Sequence, residues 1–253
     1  MFRTGVRAWA VLVAGGVLGL AGCGGKEEPV DPDRARFEAE ASEPRRAITE
    51  RPEAALPHFQ LGQVFARYNM VDSARTEFET CVALDGGYLD AHFELAKIHY
   101  GQGRLEEAAR SFEEVARLRP DHSWALNNLG FVYKKLGQLD RAEQAYLKAI
   151  AADSTFAEAY NNLGQLYKLQ ERIGDAVALY QRAIALNPRF AEAYVNLAMI
   201  FREQKQPAPE TEALRAYLER FSDTGQHSEY VKDRLQQLAA GSAPAAAQAQ
   251  GQQ

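Results

Sequence analysis

The sequence predicts an all-α protein made of stacked helix pairs, and three observations carry this prediction. First, the residue types of Ser123 to Phe156 return in the same order in Ala157 to Phe190, and a fixed period of this length is typical of a repeat array. Second, apolar residues within each copy fall at helical spacings. Third, Gly103 and Gly137 separate the two apolar stretches of their copies, where a helix can end in the left-handed conformation that glycine tolerates.

The repeat extends beyond the two central copies. Asn127 to Gly130 and Asn161 to Gly164 both read Asn-Asn-Leu-Gly, earlier copies cover 55–88 and 89–122, and Ala191 opens a further copy. Small residues recur at the eighth and twentieth positions of a copy, where they let two helix backbones approach closely beside large aromatic residues. Because one helix pair cannot bury its apolar face alone, we expect the stack to be the folding unit.

These positions resemble the tetratricopeptide repeat, which runs from a large residue through Leu-Gly, an aromatic residue, Ala, a second aromatic residue and Ala to a closing Pro. The resemblance covers about residues 55–220. It implies a right-handed α-solenoid of about five helix-turn-helix repeats over residues 54–222, in which the first helix of each pair lines a concave groove.

Two copies depart from the turn pattern. Asn69 suits the turn of the first copy, whereas Glu171 stands at that position in the fourth. In the fifth copy Pro207 and Pro209 predict an irregular turn near 204–210. The small and aromatic residues then resume three positions late, at Ala213 and Tyr217.

The last part of the chain is predicted to close the array. Residues 223–240 contain an amphipathic helix with Val231, Leu235 and Leu238 on one face, and a solenoid needs such a cover for its end. Residues 241–253 consist of Ala, Gln, Gly, Ser and Pro without core residues, so they are predicted to be a disordered tail.

Residues 1–22 are predicted to be a cleaved signal peptide. Arg3 and Arg7 precede an apolar run that is too short to span a bilayer comfortably. Leu20 to Cys23 reads Leu-Ala-Gly-Cys and resembles a bacterial lipobox. The resemblance implies cleavage before Cys23, a diacylated Cys23 thiol and an acylated amino end, with palmitate among the acyl groups. An ordinary signal peptide with a chance cysteine is the alternative.

The segment 23–53 is predicted to hold the array off the membrane. Its first part is charged and contains Pro29 and Pro32, which favours a flexible tether. Arg34–Glu43 and Arg45–Arg51 are candidate short helices, and Pro52 lies in phase with the closing Pro120, which indicates an incomplete repeat. No Asp follows Cys23, and by resemblance to enterobacterial lipoproteins this favours a periplasm-facing anchor in the outer membrane; the inner membrane is the alternative.

Composition and motifs exclude several function classes. The net charge of −5 argues against general nucleic-acid binding. No motif for a nucleophile elbow, a phosphate loop or a metalloprotease helix is present, so we expect no enzyme, no cofactor and no metal. His92 and His99 lie seven positions apart and could pair as ligands, but other copies place tyrosines there, so packing is favoured. Cys81 fills a small packing position, which argues against a structural disulfide.

The residues expected to bind a protein or peptide partner follow from the resemblance, because positions two, five, nine and twelve of tetratricopeptide repeats line the groove. With the amides at position six, the expected binding residues are Phe59, Phe93, Lys97, Tyr100, Trp124, Asn127, Asn128, Phe131, Lys134, Glu158, Asn161, Asn162, Gln165, Lys168, Asn196, Met199 and Arg202. Phe59, Phe93 and Trp124 would form an exposed apolar patch suited to a peptide anchor. A basic row follows further along.

The amides Asn128, Asn162 and Asn196 recur at the same position of three successive copies. A row of amides can hold an extended peptide backbone, because each amide donates and accepts hydrogen bonds. The alternative is that these asparagines bond locally between helices. Chaperone-binding arrays place Lys at position five and Asn at position nine of their first repeat; Phe59 and Gln63 stand there here, so that clamp is absent.

The sequence therefore predicts a lipid-anchored periplasmic scaffold that binds a protein partner in its groove. Two roles known among outer-membrane lipoproteins with this repeat fit: a pilotin for secretin assembly in type IV pilus biogenesis, and an adaptor for cell-wall enzymes. A different class remains open, namely an accessory protein that binds an envelope polymer in polysaccharide export.

Overall fold

The computed structural model describes residues 31–222 and 225–241, and within these ranges the chain is all α-helical. The predicted signal peptide, Cys23 and residues 242–253 lie outside them. The helices are α1 (Pro32–Glu50), α2 (Ala55–Arg67), α3 (Val71–Leu84), α4 (Leu89–Gly101), α5 (Leu105–Leu118), α6 (Ser123–Lys135), α7 (Leu139–Ala152), α8 (Ala157–Leu169), α9 (Ile173–Leu186), α10 (Ala191–Glu203), α11 (Pro207–Phe221) and α12 (Ser228–Gly241). Within the described ranges, no helix has the length and apolar character needed to cross a membrane.

Helices α2 to α11 form five consecutive pairs, and each second helix packs on the first helix of the next pair. The predicted all-α solenoid is confirmed. One contact recurs within the pairs: a Cβ atom added to Gly62 would lie 2.7 Å from the ring of Phe78, and one added to Gly130 would lie 2.7 Å from the ring of Tyr146. The small eighth residue therefore lets the aromatic ring of the second helix lie against the backbone of the first.

All five turns within the pairs have the same geometry. One residue of each turn has a positive φ, and these residues are Asn69, Gly103, Gly137, Glu171 and Lys205. In the second repeat Gly103 N donates to Tyr100 O at 3.0 Å and Arg104 N to His99 O at 2.9 Å, which is the Schellman pattern. The fourth repeat repeats it, with Glu171 N donating to Lys168 O at 3.0 Å.

The prediction of an irregular turn in the fifth repeat is wrong. Lys205 takes the left-handed conformation with φ 56°, and α11 begins at Pro207, in phase with the second helices before it. Proline is well tolerated at the first position of a helix because its missing N–H has no partner there. The repeat phase is kept, so Glu210 occupies the position that alanine holds in the other four repeats.

The two short helices expected before the array form one continuous helix, α1, with Pro44 inside it. Ala41 is fully buried against Leu61 and Val64 of α2, and Phe37 and Ile48 pack on the same cluster. This packing accounts for a continuous helix despite the internal proline. Helix α1 ends at the same phase of the repeat as α3 does, and it therefore stands as the second helix of an incomplete repeat.

Hydrogen-bonded side chains join successive repeats. Tyr133 Oη donates to Glu113 Oε1 of the preceding second helix at 2.5 Å, and Arg141 Nη2 donates to the same oxygen at 2.8 Å. Tyrosine–glutamate pairs also join Tyr167 to Glu143 and Tyr68 to Glu40. In the second repeat His99 stands at the position of Tyr133, and burial and nearby Arg104 lower its pKa.

Helix α12 stands as the first helix of a sixth repeat, whose second helix is not among the described residues. Val231 is fully buried at the position of the repeat leucine, Leu197 in the fifth copy. The next residue, Lys232, is exposed at the position where every other copy has Gly or Ala. Arg234 contacts the buried Glu210 through Nε at 2.6 Å and Nη2 at 3.0 Å. A lysine at the eighth position does not leave the close approach that a second helix makes in the other repeats.

Replacing Glu171 with Gly is expected to stabilise the protein. Glu171 has a φ of 61°, and this left-handed conformation is unfavourable for any residue that has a Cβ atom. The gain in the free energy of unfolding should be about 0.5–1 kcal/mol, since glycine's greater freedom in the unfolded chain offsets part of the relief. Urea unfolding followed by circular dichroism measures it. Glu171→Ala is the control and should show no comparable gain; equal stability of the two variants would contradict this account.

Removing one partner of the ion pair between α11 and α12 is expected to destabilise the array more than removing both partners. Arg234→Ala leaves the carboxylate of Glu210, which is 2% exposed, without its cation, and such a loss costs about 3–5 kcal/mol. In the double variant Glu210→Ala/Arg234→Ala, alanine restores the residue found in the other repeats, so the loss should be smaller. Urea unfolding of both variants tests this. A double variant that is no more stable than Arg234→Ala would refute the buried-charge explanation.

Candidate functional site

The first helices stand side by side and present a common surface. Helix α6 contacts α8 directly, and side chains of neighbouring first helices meet along the row. Tyr100 and Phe131 have ring centroids 5.7 Å apart, Lys134 Nζ donates to Gln165 Oε1 at 2.9 Å, and Lys168 Nζ donates to Glu203 Oε1 at 2.7 Å. We define the first-helix face by its exposed or half-buried side chains: Tyr100, Trp124, Phe131, Lys134, Gln165, Lys168, Met199 and Arg202.

The asparagines form hydrogen bonds between repeats. Asn162 Nδ2 donates to Asn127 Oδ1 at 2.9 Å, and Asn196 Nδ2 donates to Asn161 Oδ1 at 2.9 Å. Asn127 and Asn161 are buried, so they support the face from below and do not form its surface. This geometry favours the local-bonding alternative for Asn162 and Asn196. Each of these two amides nevertheless retains an acceptor oxygen and a second N–H for a ligand.

Asn128 differs from the other two members of the row. The residue one repeat before Asn127 is Phe93, so Asn128 has no amide partner there and makes no side-chain hydrogen bond within the described ranges. It is half-buried. Peptide binding by the three amides remains a prediction, and Asn128 is the member whose hydrogen-bonding groups are least used.

The expected apolar patch is only partly present. Trp124 is 55% exposed and leans on Phe156, with ring centroids 4.7 Å apart. Phe93 is half-buried and stacks on His122 at 5.4 Å. The expectation that Phe59 is exposed is wrong, because it is 8% exposed. Its ring lies 4.9 Å from that of Tyr88, the residue just before the next first helix, which covers it.

The lysines of the predicted basic row do not all have an acidic partner. Lys97 is paired with Glu94 at 2.8 Å and Lys168 with Glu203 at 2.7 Å. Lys134 is half-buried and has only the neutral amide of Gln165 as its partner, and burial followed by the nearby Lys135 lowers its pKa.

The remaining expected residues lie on the same side of the array. Arg202 is exposed and makes no ion pair with any described residue, and Met199 is 38% exposed. Glu158 is half-buried near the amino end of α8, and Glu192 stands at the same position of α10. The amino ends of these first helices therefore carry acidic side chains, and their carboxyl ends carry basic ones.

Two residues of this surface were not predicted. Lys135 holds its Nζ 5.5 Å from the ring centroid of Phe131, on which Lys134 also lies at 5.1 Å. Leu169 is 60% exposed at the carboxyl end of α8. Both occupy position thirteen, which follows the groove positions that the family resemblance supplies. Two features of the sequence could have identified them: an apolar residue in the last turn of a first helix, and a second basic residue directly after the first.

The histidines and Cys81 show packing roles. His92 Nε2 lies 3.1 Å from Gly86 O, whereas the buried ring of His99 has no hydrogen-bonding partner among the described residues, so the two rings have different surroundings. Within the described ranges no group of three or more His, Cys, Asp or Glu side chains could hold a metal ion. Cys81 is a buried free thiol, and burial, followed by the charge of Asp85, raises its pKa to about 11.

Comparison with solved structures identifies proteins with the same fold. YrrB, described as a TPR protein with an unusual peptide-binding site, has a TM-score of 0.62 at 19% identity, with 76% of this chain and 99% of YrrB covered. MamA from Desulfovibrio magneticus RS-1 has a TM-score of 0.60 at 21% identity, covering 65% of this chain and 93% of MamA. The pilF protein of Pseudomonas aeruginosa has a TM-score of 0.59 at 15% identity, covering 79% and 91%.

No curated protein sequence matches the chain. Models of the tetratricopeptide repeat match residues 87–155, 157–190 and 179–208. These matches fall on helices of the second to fifth pairs, whose phase, small eighth residue and left-handed turn are the same from repeat to repeat. Residues 87–208 therefore contain tetratricopeptide repeats.

Proposed function

We propose that this protein is a scaffold that binds a segment of a protein partner along the first-helix face and is held at a bacterial outer membrane by lipid on Cys23. The observation that carries the binding proposal is the row of Tyr100, Phe131, Lys134, Gln165 and Lys168. It runs across three repeats and combines exposed aromatic surface with cations. Such a combination suits a peptide, because aromatic anchors and charged groups dominate recognition at protein interfaces.

The rest of the array supports a positioning role. The hydrogen-bonded tyrosine–glutamate junctions and the amide bonds between repeats hold neighbouring helices in register. A preorganised face loses little conformational entropy when a partner binds, which favours affinity. The tetratricopeptide fold generally mediates protein interactions, and YrrB is described as carrying a peptide-binding site. The protein would act by holding its partner, without chemistry of its own.

The membrane part of the proposal rests on the sequence from Leu20 to Cys23, which resembles a lipobox. A lipid anchor would keep the array at the periplasmic surface, since each buried methylene contributes about 0.8 kcal/mol. A role in type IV pilus or secretin assembly and a role with cell-wall enzymes are both compatible with a repeat scaffold held in this way.

A photo-crosslinking amino acid placed at Trp124 or Met199 in the native bacterium is expected to capture a protein partner, because both side chains are exposed on the first-helix face. The control position is Leu147 on the second helix α7, which is 46% exposed. Mass spectrometry should identify the same partner at Trp124 and Met199 and not at Leu147. Equal capture at Leu147 would contradict binding along the first-helix face. No protein adduct together with retention on purified polysaccharide would favour the polymer-binding alternative.

Replacing Cys23 with Ser is expected to abolish the lipid anchor. The native protein should enter the detergent phase in a phase-partition assay and incorporate radiolabelled palmitate, whereas Cys23→Ser should do neither. The control is Cys81→Ala, which changes the only other cysteine of the chain and should keep both properties. Unchanged palmitate incorporation by Cys23→Ser would refute the lipobox assignment.

A further inference from the structure

Lys134 and Lys135 form a cationic pair with no anion. Their Nζ atoms lie 5.1 and 5.5 Å from the ring centroid of Phe131, and neither lysine makes an ion pair with any described residue. Cation–π contact is attractive but does not replace a counter-ion between two like charges. Placement at the end of α6 stabilises positive charge through the helix dipole, yet it does not account for the burial of Lys134, which removes solvent from the ammonium group.

In the two neighbouring repeats the chain itself supplies an anion for a lysine of the first helix. In the second repeat Lys97 is neutralised by Glu94, and in the fourth Lys168 is neutralised by Glu203 of the next first helix. The residue that receives Lys134 is Gln165, a neutral acceptor. A carboxylate supplied from outside would therefore complete in this repeat a pairing that the chain itself provides for Lys97 and Lys168.

Apolar surface lies on both sides of the cationic pair. Tyr100 is 38% exposed at the carboxyl end of α4 and contacts Phe131, and Leu169 is exposed at the carboxyl end of α8. The surface along the ends of these three first helices thus runs from an aromatic residue through two ammonium groups to an aliphatic residue. Glu158 at the amino end of α8 disfavours acidic groups at the other edge of the face.

We infer that the proposed partner carries a carboxylate side chain that binds between Lys134 and Lys135, in an extended segment whose apolar residues flank it and contact Tyr100 and Leu169. This inference rests on the proposed function and names the chemistry of the partner. Packed helices are about 8–10 Å apart and an extended chain advances about 3.3 Å per residue, so neighbouring contacts should be about three residues apart. The segment should read apolar, two residues, acidic, two residues, apolar.

The test uses the full chain and two fluorescein-labelled peptides, Leu-Ser-Ser-Glu-Ser-Ser-Leu and the same peptide with Gln in place of Glu. Fluorescence anisotropy should show about tenfold tighter binding of the Glu peptide, the size expected for a charge-assisted hydrogen bond. The advantage should shrink as sodium chloride is added, because salt screens exposed charges.

The double variant Lys134→Gln/Lys135→Gln should bind the Glu peptide no better than the Gln peptide. The control Arg110→Gln/Lys148→Gln changes net charge equally at exposed positions of second helices and should keep the preference. Circular dichroism checks that both variants fold. Equal Kd values for the two peptides, no measurable binding of the Glu peptide, or a preference that survives in Lys134→Gln/Lys135→Gln would overturn the inference. Capture of a partner at Trp124 would still stand in each case, so the proposed function is tested separately.

Discussion

The structure depends on the close approach of the two helices in each repeat. Gly62, Gly130 and Gly164 leave no space for a Cβ atom beneath the ring that packs on them, and Ala96 and Ala198 hold the same position in the other two copies. This contact sets which faces of the two helices meet, and the short turn must then bring the chain back in the same register every time. The left-handed residue in that turn is a consequence of the register, which is why Glu171 and Lys205 adopt a conformation that their side chains disfavour.

The ends of the array follow from the same contact. A repeat continues only when its first helix has a small residue at the eighth position, and Lys232 removes that condition in α12. At the other end α1 supplies a second helix without a first helix among the described residues, and its apolar residues cover α2. The described array is therefore five full repeats with half a repeat at each end, and both terminal helices turn a polar side outward, as a soluble end of a solenoid requires.

The first-helix face combines structural and available polar groups. Asn127, Asn161 and the donated N–H groups of Asn162 and Asn196 are used to hold neighbouring repeats, and Lys168 is neutralised by Glu203. Trp124, Asn128 and the Lys134–Lys135 pair are less satisfied within the protein. Residues at equivalent repeat positions thus have different roles, because the partner of each side chain is contributed by the adjacent repeat and changes with its sequence.

The sequence by itself determined the repeat, its period and the all-α class. A small residue, an aromatic residue and a turn residue recur at fixed positions, and each copy shows this local pattern independently. The family resemblance, in addition, predicted Trp124, Lys134 and the rest of the basic row as groove residues. Only the tertiary structure decided that Phe59 is covered by Tyr88, that Pro44 lies within a continuous helix, and that Glu210 is buried against Arg234. The reason is physical: burial and pairing at these positions depend on side chains that the adjacent helix pair contributes, whereas the repeat pattern describes only contacts that recur within each copy.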